Sequence, residues 1–220
     1  MLLMSAPDLS GLSAALRPFV ERALAGVYDV PEDRQEVLRD GAAFVAARVK
    51  TGHPVRMVFI CTHNSRRSHL GQVWAQVAAE VFAVPGVASF SAGTEATACN
   101  VRTVRALERA GLGVSVEKEG DNPLYRLDCG VAGQSIDCWS KTLQDPSLPT
   151  NDFAAMMCCG SADAACPIVP GATARVRLLY RDPKEADDTP EEAARYDERC
   201  LQIATEMLWM MREAIGNAGE

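Results

Sequence analysis

In the run CTHNSRRS a cysteine, Cys61, is followed six residues later by an arginine, Arg67, and then by a serine, Ser68. This spacing lets the backbone of Thr62, His63, Asn64, Ser65 and Arg66 curl around a tetrahedral oxyanion, with N–H groups and a helix N-terminus pointing inward. The thiol of Cys61 then faces the central atom as a nucleophile. Arg67 can grip two oxygens through its planar fork, a geometry lysine cannot supply, and the same positive surroundings favour thiolate over thiol. Ser68 is placed to donate a hydrogen bond to that thiolate. Residues 41–79 contain no Asp or Glu but include Arg48, Lys50, Arg56, Arg66 and Arg67, so the local field is positive although the chain has a formal charge of −7. A cysteine and an arginine six apart also arise by chance, and a buried cysteine is commonly a small apolar side chain. The flanks of the motif raise it above that reading.

Those flanks are the elements that must position it. VRMVFI, residues 55–60, is a β-branched apolar run of strand length that follows the break GHP at 52–54, and residues 67–82 read as a helix. Beyond them come a strand in VASFSAG and a helix over 101–110 ending at Gly111. Buried strands in DFAAMMCCG (152–160) and RVRLLY (175–180) follow, then a long helix with Leu201, Ala204, Leu208 and Met211 on one face. Alternating strands and helices predict an open, mainly parallel α/β sheet whose sites lie at the carboxyl ends of strands. Residues 114–141 are Gly-rich and read as an irregular insertion, with YRLDCG and SIDCWS able to form a hairpin. Ahead of the sheet, residues 9–52 read as two amphipathic helices, one carrying Leu12, Leu16, Phe19 and Ala23, the other Leu38, Val45 and Val49 after Pro31. The chain thus divides into a helical N-terminal extension, 1–53, and an α/β domain, 54–216.

Apolar residues make up 48% and charged residues 23% of the 220, which excludes a disordered or fibrous chain. The negative balance argues against a nucleic-acid or anionic-membrane surface. No apolar run approaches the roughly 18–20 residues of a membrane span, and MLLMSAPDLS lacks the basic and apolar regions of a secretory leader. The expected compartment is the cytoplasm, where eight cysteines point to thiol chemistry or metal binding rather than a disulfide scaffold.

VFICTHNSR followed by RS resembles the phosphate loop of the low-molecular-weight tyrosine phosphatases and of the thioredoxin-coupled arsenate reductases that share their fold. SAGTEA (91–96), with Asn100 and Arg102 after it, agrees, and the likeness spans about residues 55–214. It implies a four-stranded parallel sheet flanked by helices, with Cys61 as nucleophile, Arg67 as oxyanion clamp, Asn64 shaping the loop in a left-handed conformation, and Ser68 as donor to the thiolate. His63 stands where the family usually has Gly. Arg66 stands where it commonly has a second cysteine, so a protective disulfide within the loop is impossible. The resemblance makes Asp182, in RDPK, the general acid that protonates the departing oxygen; taken alone, Asp182 opens an acidic, solvated stretch that includes Glu185, Asp187 and Asp188.

The phosphatases and reductases part at CCGSADAACP. Cys159 and Cys166, seven apart after a predicted strand, lie in a small-residue segment that looks mobile enough to rearrange, and they resemble the redox segment of the arsenate reductases. Reducing arsenate takes two electrons, which two thiols supply as they become a disulfide, and a third thiol can pass that disulfide to a reductant. Without the likeness, these cysteines read as packing residues or a metal site, although the spacing exceeds that of common zinc knuckles and no His is near. Strand alternation points Cys158 away from Cys159, and the match to CG favours Cys159. The leading expectation is an arsenate reductase with an oxyanion substrate, thioredoxin as partner, and no bound cofactor or metal. The alternative is a phosphatase that uses the same Cys61, Arg67 and Asp182. A third reading is a thiol module that binds soft metals or arsenite through Cys158, Cys159 and Cys166. Cys99, Cys129, Cys138 and Cys200 read as packing residues.

Overall fold

A computed structural model describes residues 7–130 and 134–218. Two helices open the fold, α1 (Arg17–Ala25) and α2 (Glu32–Lys50), followed by β1 (Val55–Cys61), α3 (Arg67–Val81), β2 (Val87–Gly93) and α4 (Val101–Arg109). A small antiparallel sheet comes next, β3 (Gly113–Lys118), β4 (Leu124–Asp128) and β5 (Ser135–Cys138). The chain continues through β6 (Phe153–Met157), the short α5 (Gly160–Ala165), β7 (Ala172–Arg177) and α6 (Glu192–Ala218).

The main sheet has the order β2-β1-β6-β7 with every neighbouring pair parallel, and helices flank it. β1 is central and buried along its length except at Arg56, as a strand covered on both faces must be. In register, Cys61 lies opposite Gly93 and Ile60 opposite Met157. The strands therefore end level, and Thr62, Thr94 and Cys158 emerge together at one edge of the sheet.

α3 is buried on nearly every side, between β1 and β2 on one face and α6 on the other. Gly71 permits this approach, since a Cβ there would sit 2.3 Å from the Phe59 ring. The N-terminal helices close over α6. Trp74 of α3 stacks on Phe19 of α1, with centroids 4.8 Å apart, and donates its indole N–H to Cys200 Sγ of α6 at 3.2 Å. α2 buries Leu38, Ala42, Val45 and Ala46 and packs along α6.

The structure departs from the sequence expectations in four places. Residues 9–16 do not continue the first helix, which starts at Arg17 with Pro18 in its first turn, where a missing N–H is tolerated. Residues 113–118, read as irregular, form β3. Its side chains are almost all exposed, so it carries no apolar alternation, and it exists through its pairing with β4. Part of the expected insertion, residues 131–133, lies outside the described residues. The last parallel strand is Ala172–Arg177 rather than 175–180, because Leu179 turns into the left-handed region at φ +49. The segment after Cys159, expected to be mobile, is helical α5.

Candidate active site

Between Cys61 and α3 the chain turns its carbonyls outward, and each one is engaged. The Cys61 carbonyl accepts from Thr94 N (3.2 Å), that of Thr62 from Glu95 N (2.8 Å), and that of Ser65 from Asn100 N (3.0 Å). His63 O accepts from Ser140 Oγ (2.8 Å), Asn64 O lies 2.8 Å from His69 Nε2, and Arg66 O accepts from the N–H groups of His69 and Leu70. In a trans peptide the following N–H points opposite to the carbonyl. The N–H groups of residues 62–67 are therefore turned away from these partners, toward the loop interior at the N-terminus of α3, an arrangement able to cradle an anion.

Asn64 makes this turn possible. Its φ is +44, in the left-handed region that asparagine tolerates. Its side-chain amide donates to Ser68 Oγ at 2.9 Å, and its side-chain oxygen accepts from Lys141 N at 2.9 Å. Ser68 Oγ lies 3.0 Å from Cys61 Sγ. Because the serine oxygen already accepts from Asn64, its hydrogen is available for the sulfur. Gly93 admits the neighbouring chain: a Cβ there would lie 2.3 Å from Glu95 O and 2.7 Å from both Asn64 N and Thr62 O. His63 keeps a negative φ, so the loop needs no glycine there. Its half-exposed ring sits at the rim, with Nε2 3.6 Å from Glu95 Oε2.

Arg67 donates through Nη1 to Tyr180 O at 2.9 Å and pairs through Nη2 with the Asp182 carboxylate. Its buried Nε has no partner among the described residues. An orphaned guanidinium N–H beside inward-facing amides is a donor that a bound oxyanion would satisfy. Asp182 also accepts from Lys184 N (3.1 Å), capping the turn that follows. Arg66 contributes backbone only, since its side chain turns away to Tyr196 OH (2.6 Å) and Asp187 Oδ2 (2.8 Å).

The second group of thiols meets this loop at its edge. Cys159 Sγ lies 3.4 Å from Thr62 Oγ1 and accepts from Ala162 N at 3.4 Å, which caps α5. Cys158 points inward. Its Sγ donates to Met156 O, and burial, with Cys61 adding to it, pushes its thiol well above the ordinary range. Cys166 stands at the other end of α5 and is half-buried. Asp163 of α5 is tied to Arg175, and to Arg177 Nε at 2.9 Å. Cys61, Cys158, Cys159 and Cys166 are all free thiols. Burial pushes the Cys138 and Cys200 thiols up to about 12, as suits packing residues. Among the described residues no cluster of His, Cys, Asp or Glu could hold a metal ion, and no helix is long and apolar enough to cross a membrane.

No family model matches the chain. An arsenate reductase from Bacillus licheniformis is 29% identical to it over 135 residues, which cover 61% of this chain and 78% of that protein. An arsenate reductase from Bacillus subtilis is 27% identical over 160 residues, 72% of this chain and 88% of the relative. The chain is a sequence relative of arsenate reductases. Among solved structures, a low-molecular-weight protein tyrosine phosphatase from T. tengcongensis is similar with a TM-score of 0.49 and 15% identity, over 71% of this chain and 97% of that one.

Several residues that hold the loop of this arsenate reductase relative escape a reading of its sequence. His69 has no exposed surface and bridges Asn64 O and Ser91 Oγ, the latter at 3.1 Å. Burial, helped by the Lys141 ammonium nearby, pushes its pKa down to about 3, so the ring is neutral. The available signal is a histidine at the start of a largely apolar helix, directly after the motif. Ser140 and Lys141 arrive from beyond the small sheet, and no local pattern marks them.

Proposed function

We propose that the protein reduces arsenate to arsenite in the cytoplasm, with residues 54–216 as the catalytic unit and 1–53 as a helical extension. The observation that supports this most directly is the Cys159 thiol at the rim of the cradle, 3.4 Å from Thr62 Oγ1. A hydrolase has no use for a second thiol there.

Arsenate enters the ring of N–H groups and takes the Arg67 fork, displacing Asp182. The Cys61 thiolate, steadied by Ser68, attacks arsenic. An As–O bond breaks, and Asp182 protonates the oxygen that leaves as water. Cys159 then attacks Cys61 Sγ. The S–S bond forms as the S–As bond breaks, and its electron pair stays on arsenic, which departs as arsenite. Cys166 attacks Cys159 and frees Cys61, leaving a Cys159–Cys166 disulfide for an external dithiol, thioredoxin. The thiols carry both electrons, so the scheme calls for no resident cofactor.

The last exchange has a structural requirement. Cys159 and Cys166 flank α5, so about 10 Å of helix rise separates them, whereas a disulfide holds its Cα atoms roughly 4.4–6.8 Å apart. α5 must unwind. A helix this short is marginal by itself, and the ties from Asp163 to Arg175 and Arg177 hold it to β7.

Arsenate-dependent NADPH oxidation with thioredoxin and thioredoxin reductase tests the proposal. Sustained oxidation that requires arsenate is expected. No oxidation, from protein that still hydrolyses an aryl phosphate, would assign Cys61, Arg67 and Asp182 to a phosphatase. Tight binding of a soft metal with an inert Cys61 would assign the cysteines to a thiol module.

A further inference from the structure

Arg67 leans on the Tyr180 carbonyl, and the segment that carries this carbonyl is held from the N-terminal helices. Leu179 has φ +49, a conformation that a leucine keeps only when its surroundings enforce it. On one side the end of β6 enforces it, through Leu179 N to Met157 O (3.0 Å) and Tyr180 N to Cys158 O (2.9 Å). On the other side stands Arg34 of α2. Its Nη1 donates to Leu178 O at 2.6 Å, and its guanidinium lies over the Tyr180 ring, 5.2 Å from the centroid. Its Nε and Nη2 grip the buried Glu206 of α6 at 3.1 and 2.6 Å. One planar fork thus joins α2 and α6 to both residues flanking Leu179. α2 lies ahead of residues 55–214, which carry the family resemblance, so this support is supplied by the extension.

We propose that Arg34 is a positioning residue for the oxyanion clamp: by fixing Leu178 and the Tyr180 ring it sets the Tyr180 carbonyl, and through that carbonyl the Arg67 fork. The proposal rests on the reading of Cys61–Ser68 as an oxyanion site. It gives the N-terminal helices a part in ligand binding in addition to covering α6.

Two variants of the full-length protein test it. Arg34→Lys keeps a charge for Glu206 but has no fork with which to reach Glu206, Leu178 O and the Tyr180 ring together. The double variant Arg34→Met, Glu206→Met replaces the whole buried pair by apolar side chains, an exchange that buried pairs often tolerate without loss of stability. Phosphate affinity is read from protection of Cys61 against iodoacetamide, followed at that residue by mass spectrometry. Both variants should bind phosphate about tenfold more weakly, roughly what one charge-assisted hydrogen bond contributes, while Cys61 is alkylated at the wild-type rate when phosphate is absent. A purely structural role would lower the thermal midpoint and leave the phosphate constant unmoved, so equal phosphate affinity in all three proteins overturns the proposal. A wild-type Cys61 that neither phosphate nor arsenate protects overturns the oxyanion site itself, and the role of Arg34 with it.

Discussion

Replacing His69 by glutamine should flatten the acid side of the stability profile. In the native fold the ring is fully buried between Asn64 O and Ser91 Oγ, and its pKa is held near 3, whereas in the unfolded chain it titrates near 6.5. Above pH 6.5 the ring is neutral in both states and adds no pH dependence. Below that, the unfolded chain takes up a proton that the folded protein refuses, so stability falls by up to about 1.4 kcal/mol per pH unit. The loss levels off near pH 3, where the folded ring also protonates. By pH 5 it reaches about 2 kcal/mol, a large share of a total that is typically about 5–15 kcal/mol. Glutamine offers a donor to Asn64 O and an acceptor to the Ser91 hydroxyl but does not titrate, so its cost at neutral pH is about 1 kcal/mol from imperfect geometry. Urea unfolding of both proteins at pH 7, 6 and 5 is the assay. Carboxylates common to both cancel in the difference, so the variant's deficit of about 1 kcal/mol at pH 7 should turn into an advantage of about 1 kcal/mol at pH 5, a relative change of about 2 kcal/mol. Parallel profiles would refute the argument, because they would mean that His69 is either exposed or protonated in the native state.

Asp182→Asn removes the carboxylate that competes for Arg67, so phosphate should bind about five- to tenfold more tightly while arsenate turnover falls by about a hundredfold or more; weaker phosphate binding would contradict the pairing. Gly93→Ala places a Cβ against three backbone atoms of the loop and its neighbour, and should destabilise the fold by about 1–3 kcal/mol in thermal unfolding while weakening phosphate protection of Cys61. Cys166→Ser should complete one arsenate turnover and stop as a Cys61–Cys159 disulfide, visible by peptide mass mapping; continued turnover on thioredoxin alone would remove Cys166 from the relay. Asp163→Ala removes the carboxylate ties of α5 to Arg175 and Arg177, leaving only Arg175's bonds to the backbone carbonyls of residues 163 and 166, and should speed formation of the Cys159–Cys166 disulfide in quenched-alkylation time courses. An unchanged rate would show that α5 opening is not the barrier.

What could be read from the sequence is what is encoded within one contiguous run. Cys61, Asn64, Arg67 and Ser68 lie on a single strand–loop–helix unit, so their spacing already suggests the loop, while the left-handed Asn64 comes from the family likeness. Cys159, two residues beyond the buried strand β6, is singled out by the likeness of CG to the arsenate reductase redox segment, because its position after the strand does not by itself separate it from Cys158. The partners of the loop carbonyls were not legible. Ser140 and Lys141 reach His63 and Asn64 across 77 residues of chain, by way of a small sheet whose first strand is nearly all exposed and so has no apolar signature. His69 is ambiguous for a different reason. A histidine on an apolar helix face suits a packed core as well as a ligand site, and only the position of Ser91 on the neighbouring strand fixes its role.

The segment between Cys159 and Cys166 shows why composition and observed structure need not conflict. Its small residues suggest a stretch free to rearrange, yet it is helical, capped by the Cys159 sulfur and tied through Asp163 to two arginines. Alanines favour the helix, while Gly160 in its first turn and its short length leave it marginal. In the helical state Cys159 stays at the rim of the cradle with Cys166 held too far away to reach it. In the proposed attack on Cys61, Cys159 would leave its capping position, the Ala162 N–H would lose its acceptor, and the helix would lose part of what holds it closed. In the relay proposed above, the first disulfide exchange would therefore prepare the second, and the placing of the two thiols on α5 would set its order.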